Sequence, residues 1–431
     1  MRQRFLVGLF TAGVLLFVLA IWFDLSPLLR GPDEWRWNLR QAQVPAWQIV
    51  IPLAALAIYV LLCVKWLTLF TAKESAMRPA KWAERGFLVF LTLAAPLIQI
   101  ALAAAVWRSP LFEFFSATVS PSVTGFHSVA VTTPKLIEQL THYATFMPTL
   151  PIHPQTHPPG LVLLQWLGWR LFADAPIVAD AIAMPLRTLQ CHNVALMTLD
   201  NPQIASATLG MLVPVLGGFT VWPLYAFGKR VIGLRGAALA ASVFPILPMF
   251  AMWPSQWDQI FPLLLLGSLY FLHRGLEEGS AWRIFITGVI LSCATFLSVG
   301  NAVMAVIAGL YGLIWWIAHR PIRQLLNRQV VAQWSRQIIA LGAGGLSIWL
   351  AYALIYQVRA DELIAVGMRL ASEATRCPIC PSTARSYDVW VVWNVVDFAI
   401  FLSAPVALLL AVRLPMLLKR AADTVRHRRP I

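Results

Sequence analysis

The stretch Gly86-Phe87-Leu88-Val89-Phe90-Leu91-Thr92-Leu93-Ala94-Ala95-Pro96-Leu97-Ile98-Gln99-Ile100-Ala101, continuing to Trp107, contains no acidic or basic residue. A helix of about 20 such residues, rising 1.5 Å per residue, crosses the ~30 Å hydrocarbon core of a bilayer. Comparable runs cover 5–23, 47–70, 203–227, 236–253, 259–272, 284–300, 301–318, 337–357 and 389–412, with a weaker one at 160–172. Across its 431 residues the chain is 59% hydrophobic and 12% charged, where soluble domains carry about 25% charged residues. Its mean hydropathy is +0.70. Soluble enzymes and nucleic-acid-binding modules are excluded, and the pattern predicts an all-α fold: a polytopic transmembrane helical bundle of about ten to twelve spans.

The 33 Lys and Arg against 19 Asp and Glu give a net charge of +14, which in a membrane chain marks the cytoplasmic side rather than a nucleic-acid partner. Lys and Arg concentrate in 73–85, 228–235, 319–336 and 413–431. Placing these four inside puts both termini in the cytoplasm. The loops 24–46, 254–258 and 358–388 and all or part of 108–202 then lie outside, and parity requires 158–202 to cross zero or two times. The first run, Phe5 to Phe23, lacks a small-residue cleavage site before Asp24 and reads as a retained helix. Three regions follow: a hairpin at 1–85 with an external Pro32-Asp33-Glu34 loop, a core at 86–320, and C-terminal helices at 321–431.

Four polar groups fall on the outer side, where charge next to lipid is costly and marks function. Asp33 and Glu34, set between Pro32 and Trp35, can act as a general base, because neighbouring anions and partial burial raise a carboxyl pKa. They can also hold a divalent cation, the one cofactor the pattern admits; the competing role is a solvated loop anchored by tryptophans. His153 and His157 stand four apart, as helical metal ligands would, but Pro154, Pro158 and Pro159 favour an extended, stiff helix start. Substrate hydrogen bonding suits them better than metal, and five of the eight histidines lie within 127–192. Asp258, in the short turn Pro254-Ser255-Gln256-Trp257-Asp258-Gln259, either faces the external cavity or caps the next helix. In the last loop Arg376 and Arg385 suit a lipid phosphate, and Cys377-Pro378-Ile379-Cys380 suits a small disulfide loop. No glycine-rich nucleotide-phosphate motif occurs.

In their order and spacing these residues resemble the GT-C superfamily of polytopic glycosyltransferases, especially the bacterial branch related to aminoarabinose transferases and protein O-mannosyltransferases. The motifs that carry the likeness are His157-Pro158-Pro159-Gly160, Tyr225-Ala226-Phe227-Gly228-Lys229-Arg230 followed by Gly236-Ala237-Ala238-Leu239-Ala240, the acidic outer-turn residue Asp258, and Leu276-Glu277-Glu278-Gly279. The resemblance implies inverting transfer of a sugar from a polyprenyl-phosphate donor to an envelope glycan, lipid or protein outside the inner membrane. In that scheme a carboxylate activates the acceptor hydroxyl, and Asp33 with Glu34 are the catalytic candidates. His153, His157, Asp258, Arg376 and Arg385 are the substrate-binding ones. The chain departs from the family pattern at Ser120–His127, where relatives often carry Pro-Asp-Glu, and at Ser298-Val299-Gly300-Asn301, where they often carry Thr-Lys-Gly-Pro. Three outcomes fit the first departure: Asp33 supplies the carboxylate, Glu113 or Glu138 substitutes, or transfer is lost. The alternative function is a non-catalytic relative or a lipid-linked-glycan flippase.

Overall fold

The computed structural model describes residues 2–32, 36–37, 44–72, 81–192, 194–319, 327–376 and 386–427. It is 85% helical, and no strand occurs among the described residues. The chain divides into two compact units. One comprises Met1–Gln41, Leu247–Met249 and Ala371–Ile431; the other comprises Ala42–Ile246 and Phe250–Leu370.

The first unit contains α1 (Arg2–Trp22). Beyond it Arg30 clasps the chain: its Nε and Nη2 donate to the two Asp24 carboxylate oxygens at 3.0 and 3.1 Å, and its Nη1 donates to the Trp37 carbonyl at 2.5 Å. The Trp37 amide returns a bond to the Arg30 carbonyl at 2.9 Å.

The larger unit opens with α2 (Val50–Ala72) and α3 (Lys81–Ala104), joined through α4 (Pro110–Val119) and α5 (Phe126–Thr132) to α6 (Gly160–Ala173) and α7 (Pro176–Leu186). Then come α8 (Asn201–Met211), α9 (Val213–Gly218) and α10 (Val221–Val231), three pieces of one long apolar run. The start of α8 is fixed by a reciprocal cap, the Asp200 carboxylate accepting from the Gln203 amide while the Gln203 side chain accepts from the Asp200 amide. After α11 (Gly233–Val243), α12 (Phe261–Glu278) and α13 (Ala281–Leu297) form a hairpin. Its tight turn follows from Gly279, whose φ of +66° ends α12, and Ser280, whose hydroxyl caps α13 through the Arg283 amide. The Leu276–Gly279 motif is thus a helix terminus. The series continues with α14 (Ala302–His319), α15 (Arg328–Tyr356) and α16 (Ala360–Arg376), and the smaller unit holds α17 (Tyr387–Phe401) and α18 (Ala404–His427).

Five of the described helical stretches are long and apolar enough to span a bilayer: Ala46–Leu69, Lys81–Ala104, Asn201–Val231, Val299–His319 and Arg328–Tyr356. Two bent pairs raise the number to as many as 7; ten to twelve spans remain an expectation of the hydropathy alone. One bent pair falls within 158–202. Its arms, Gly160–Ala173 and Pro176–Leu189, meet at 109°, and the 14 residues of α6 reach only ~21 Å. Neither arm is long enough to cross alone, so the pair is a broken span or a re-entrant loop. The short run at 259–272 gains length from its polar flank, since α12 has 18 residues and reaches ~27 Å.

One end of the larger unit is laced by ion pairs. Lys229 Nζ lies 2.7 Å from Glu84, Arg230 lies 2.6 Å from Glu277, and Glu278 pairs with Arg274 and, at 2.9 Å, with Arg283. The segments around 84 and 229, both expected inside, therefore share one end. Exposed pairs of this kind contribute about 0–1 kcal/mol each. Tighter packing occurs where α13 crosses α15: a Cβ on Gly288 would meet the Leu341 carbonyl oxygen at 2.4 Å, and one on Gly344 the Phe285 carbonyl oxygen at 2.2 Å. Only glycine admits such backbone contact.

Candidate active site

At the opposite end of α12, buried Phe126, Val129, Leu161, Val162, Val213, Trp257 and Leu297 form one apolar cluster. Trp257 anchors the outer turn into the same core that holds Phe126 and the start of α6, which brings its neighbour Asp258 within electrostatic reach of His157 and His153. The motif glycine makes the approach possible. A Cβ on Gly160 would sit 2.4 Å from the Phe296 carbonyl oxygen, which lets the first turn of α6 rest directly on the last turn of α13. Residues 154–156 form a single 3-10 turn and His157 is extended, the conformation its following proline requires.

Within that turn the His153 carbonyl is the hub. It accepts from His157 Nδ1–H at 2.7 Å, from Thr156 Oγ1 at 3.0 Å and from the Thr156 amide at 3.1 Å. This assignment leaves His157 Nε2 with a free lone pair. Phe126 meets the imidazole edge to face at a centroid distance of 5.4 Å. Burial holds His157 below the ordinary histidine range, against the opposing pull of the bond to the His153 carbonyl and of the Asp258 charge. Burial likewise raises the Asp258 carboxyl, while the His157 and His153 charges lower it. The Asp258 side chain keeps surface open, though protein atoms crowd it. It does not cap α12, which has no side-chain cap, and the charges that act on it are those of His157 and His153. The unprotonated His157 Nε2 and the oxygens of Asp258 are both hydrogen-bonding groups suited to hydroxyls. His153 is itself exposed. No group of three metal-ligating side chains is present among the described residues.

Asp33, Glu34, Cys377, Cys380 and Arg385 lie outside the described residues, and Arg376 is the last residue of α16. Glu113 and Glu138, the substitutes weighed for the missing carboxylate, sit on α4 and on a short helix at Leu136–Gln139; Glu138 is exposed and pairs with Lys135 at 3.4 Å. His127 has a structural role: fully buried, its Nε2 meets the Gln203 carbonyl at 3.0 Å and Ser206 Oγ at 2.9 Å. Burial depresses it to about 4 despite the Gln203 bond.

Asp258 belongs to a region with known relatives. Residues 195–343 match the dolichyl-phosphate-mannose-protein mannosyltransferase family, a GT-C type family. The match covers about a third of the chain and bears out the resemblance drawn from the motifs. It contains the Tyr225–Arg230 motif, Asp258 and the Leu276–Gly279 helix end, whereas His153, His157 and the Asp33–Glu34 pair lie before it. No curated protein matches, and no solved structure matches. With its apolar helices, the family match supports an integral membrane glycosyltransferase of GT-C type.

Two features of the site gave no recognisable signal in the motifs. Phe126 packs on His157 from a loop read only for its missing carboxylate. Gln99 and Gln259, both buried, bond to each other beneath the Asp258 turn. A carboxamide in the middle of a span is the signal that could have disclosed Gln99.

Proposed function

We propose that this protein is an inverting glycosyltransferase that moves a sugar from a polyprenyl-phosphate donor to an envelope acceptor on the outer face of the inner membrane, with both termini cytoplasmic. The observation that carries this reading is the apposition of Asp258 and His157 on a common apolar floor within and beside the family match. Two hydrogen-bond acceptors next to lipid-facing helices suit the hydroxyls of a sugar delivered sideways from the bilayer. Asp33, with Glu34 beside it, is the base that takes the acceptor proton as the acceptor oxygen attacks the anomeric carbon and the lipid phosphate departs. Arg376 and Arg385 balance the phosphate charge. Reconstitution in proteoliposomes with radiolabelled polyprenyl-phosphate sugars and envelope extract tests this reading, with labelled product expected from the parent and not from Asp33→Asn.

One observation favours the alternative of a non-catalytic relative or flippase. Where the GT-C pattern often places a lysine this chain has Val299, and Asn301, two residues on, is buried with its Nδ2 donating to the Ala294 carbonyl at 2.9 Å. That side chain serves the helix end and supplies no positive charge. Transbilayer movement of the lipid-linked sugar without product formation would select this second reading.

A further inference from the structure

Gln99 lies more than three-quarters of the way along α3, in the uncharged run 86–107, and is 1% exposed; Gln259 is 4% exposed. Their carboxamides bond reciprocally, Gln99 Nε2 donating to Gln259 Oε1 and Gln259 Nε2 to Gln99 Oε1, each at 3.2 Å. The remaining donor capacity goes to the chain between them. Gln99 Nε2 also reaches the Phe250 carbonyl at 3.0 Å, and Gln259 Nε2 reaches the Trp253 carbonyl and, at 3.4 Å, that of Phe250. The backbone before the outer turn thus finds its donors in these two side chains, where an apolar setting offers no water. On the other side Gly217 closes the arrangement: a Cβ there would stand 2.9 Å from the Gln259 carbonyl oxygen and 2.6 Å from the Phe250 ring. Ser255, in the middle of the turn, is buried with φ +59°, a conformation held by its surroundings.

We infer that Gln99 is a positioning residue, fixing the turn Phe250–Gln259 through Gln259 so that Asp258 stays opposite His157. This rests on the proposed role of Asp258 in binding substrate hydroxyls, but its geometry is independent of any turnover. A pair serving only as glue between α3 and the turn would tolerate replacement by two apolar side chains of similar shape with Asp258 still in place, even though the Phe250 and Trp253 carbonyls then lose these donors. A pair that aims Asp258 would not be replaceable in that way.

The test uses the full-length protein in detergent with 13C-labelled histidine, comparing the parent, Gln99→Leu/Gln259→Leu and Gln99→Met. In each background the His157 titration is measured with and without Asp258→Asn. In the parent, removing the carboxylate shifts the His157 midpoint downward. In the double-leucine protein that shift is expected to vanish while thermal unfolding stays cooperative, and in Gln99→Met it is expected to shrink. An undiminished shift in both backgrounds overturns the inference. If the double-leucine protein does not fold, Gln99→Met decides alone by the same criterion. Since the readout is a titration, loss of the coupling supports the Gln99 role even if the parent transfers no sugar, an outcome that counts only against the transferase reading.

Discussion

Replacing Gly160 with alanine tests how the histidine turn is held. The new Cβ would stand 2.4 Å from the Phe296 carbonyl oxygen and 3.0 Å from its carbon, about 1 Å inside ordinary contact. The obstacle is backbone in the last turn of α13, so no side-chain rotation relieves it, and the first turn of α6 must move outward. Overpacking of this kind costs about 1–3 kcal/mol, and His157, three residues upstream, moves with the helix start. A displacement of about 1 Å at a catalytic constellation can lower turnover on the order of 10²-fold. Equilibrium unfolding in mixed micelles should show the destabilisation. Transfer assays on the protein that remains folded should show a loss in kcat/KM well beyond the fraction unfolded. Stability within about 0.5 kcal/mol of the parent, with turnover within a few-fold, would refute the argument that this backbone contact places His157.

Other substitutions probe separate parts of the structure. Gly344→Ala forces a methyl against the Phe285 carbonyl oxygen at 2.2 Å and should destabilise by at least the same ~1–3 kcal/mol; an unfolding midpoint equal to the parent's would contradict the tight α13–α15 crossing. His127 titrates lower when folded, at about 4 against an ordinary 6.5, so the unfolded chain takes up the proton first. The stability due to its neutral form is fully present above about pH 6.5 and is lost as pH falls towards 4. His127→Asn should therefore show a shallower fall in stability than the parent between pH 6.5 and 4.5, and parallel curves would refute this. Asp33→Asn should lower transfer by 10²–10⁴-fold with expression and donor binding retained, whereas turnover within a few-fold in Asp33→Asn/Glu34→Gln would place the base elsewhere. Finally, engineered cysteines at 120–155 should react with impermeant reagent from outside and those at 413–427 should not; the reverse pattern would invert the topology.

The all-helical class was legible because uncharged runs such as 86–107 admit no other structure in lipid. The individual crossings were less so, since hydropathy sums over a window and is blind to direction. The run 203–227 is apolar throughout yet breaks into α8, α9 and α10, and α6 turns through 109° into α7. Asp258 and His157 were legible as isolated polar residues on outer segments. Their meeting was not, because it depends on Trp257 and Phe126 sharing a core across more than a hundred residues. Gln99 was hidden for the opposite reason: a lone carboxamide scarcely lowers the hydropathy of a span, although it gives the Phe250 carbonyl a donor and pairs with Gln259.

The contact between Gly160 and Phe296 also shapes the local field. A helix start carries about half a positive charge and a helix end about half a negative one. Here the start of α6 abuts the end of α13, and the two partial charges largely cancel over a few ångströms. The backbone at the histidine turn therefore adds little field of its own, and a phosphate arriving beside it gains little from the backbone. In the proposed scheme the pull on an anion then falls to Arg376 and Arg385, so substituting those arginines is expected to alter affinity for a charged lipid headgroup with Asp258 and His157 left untouched.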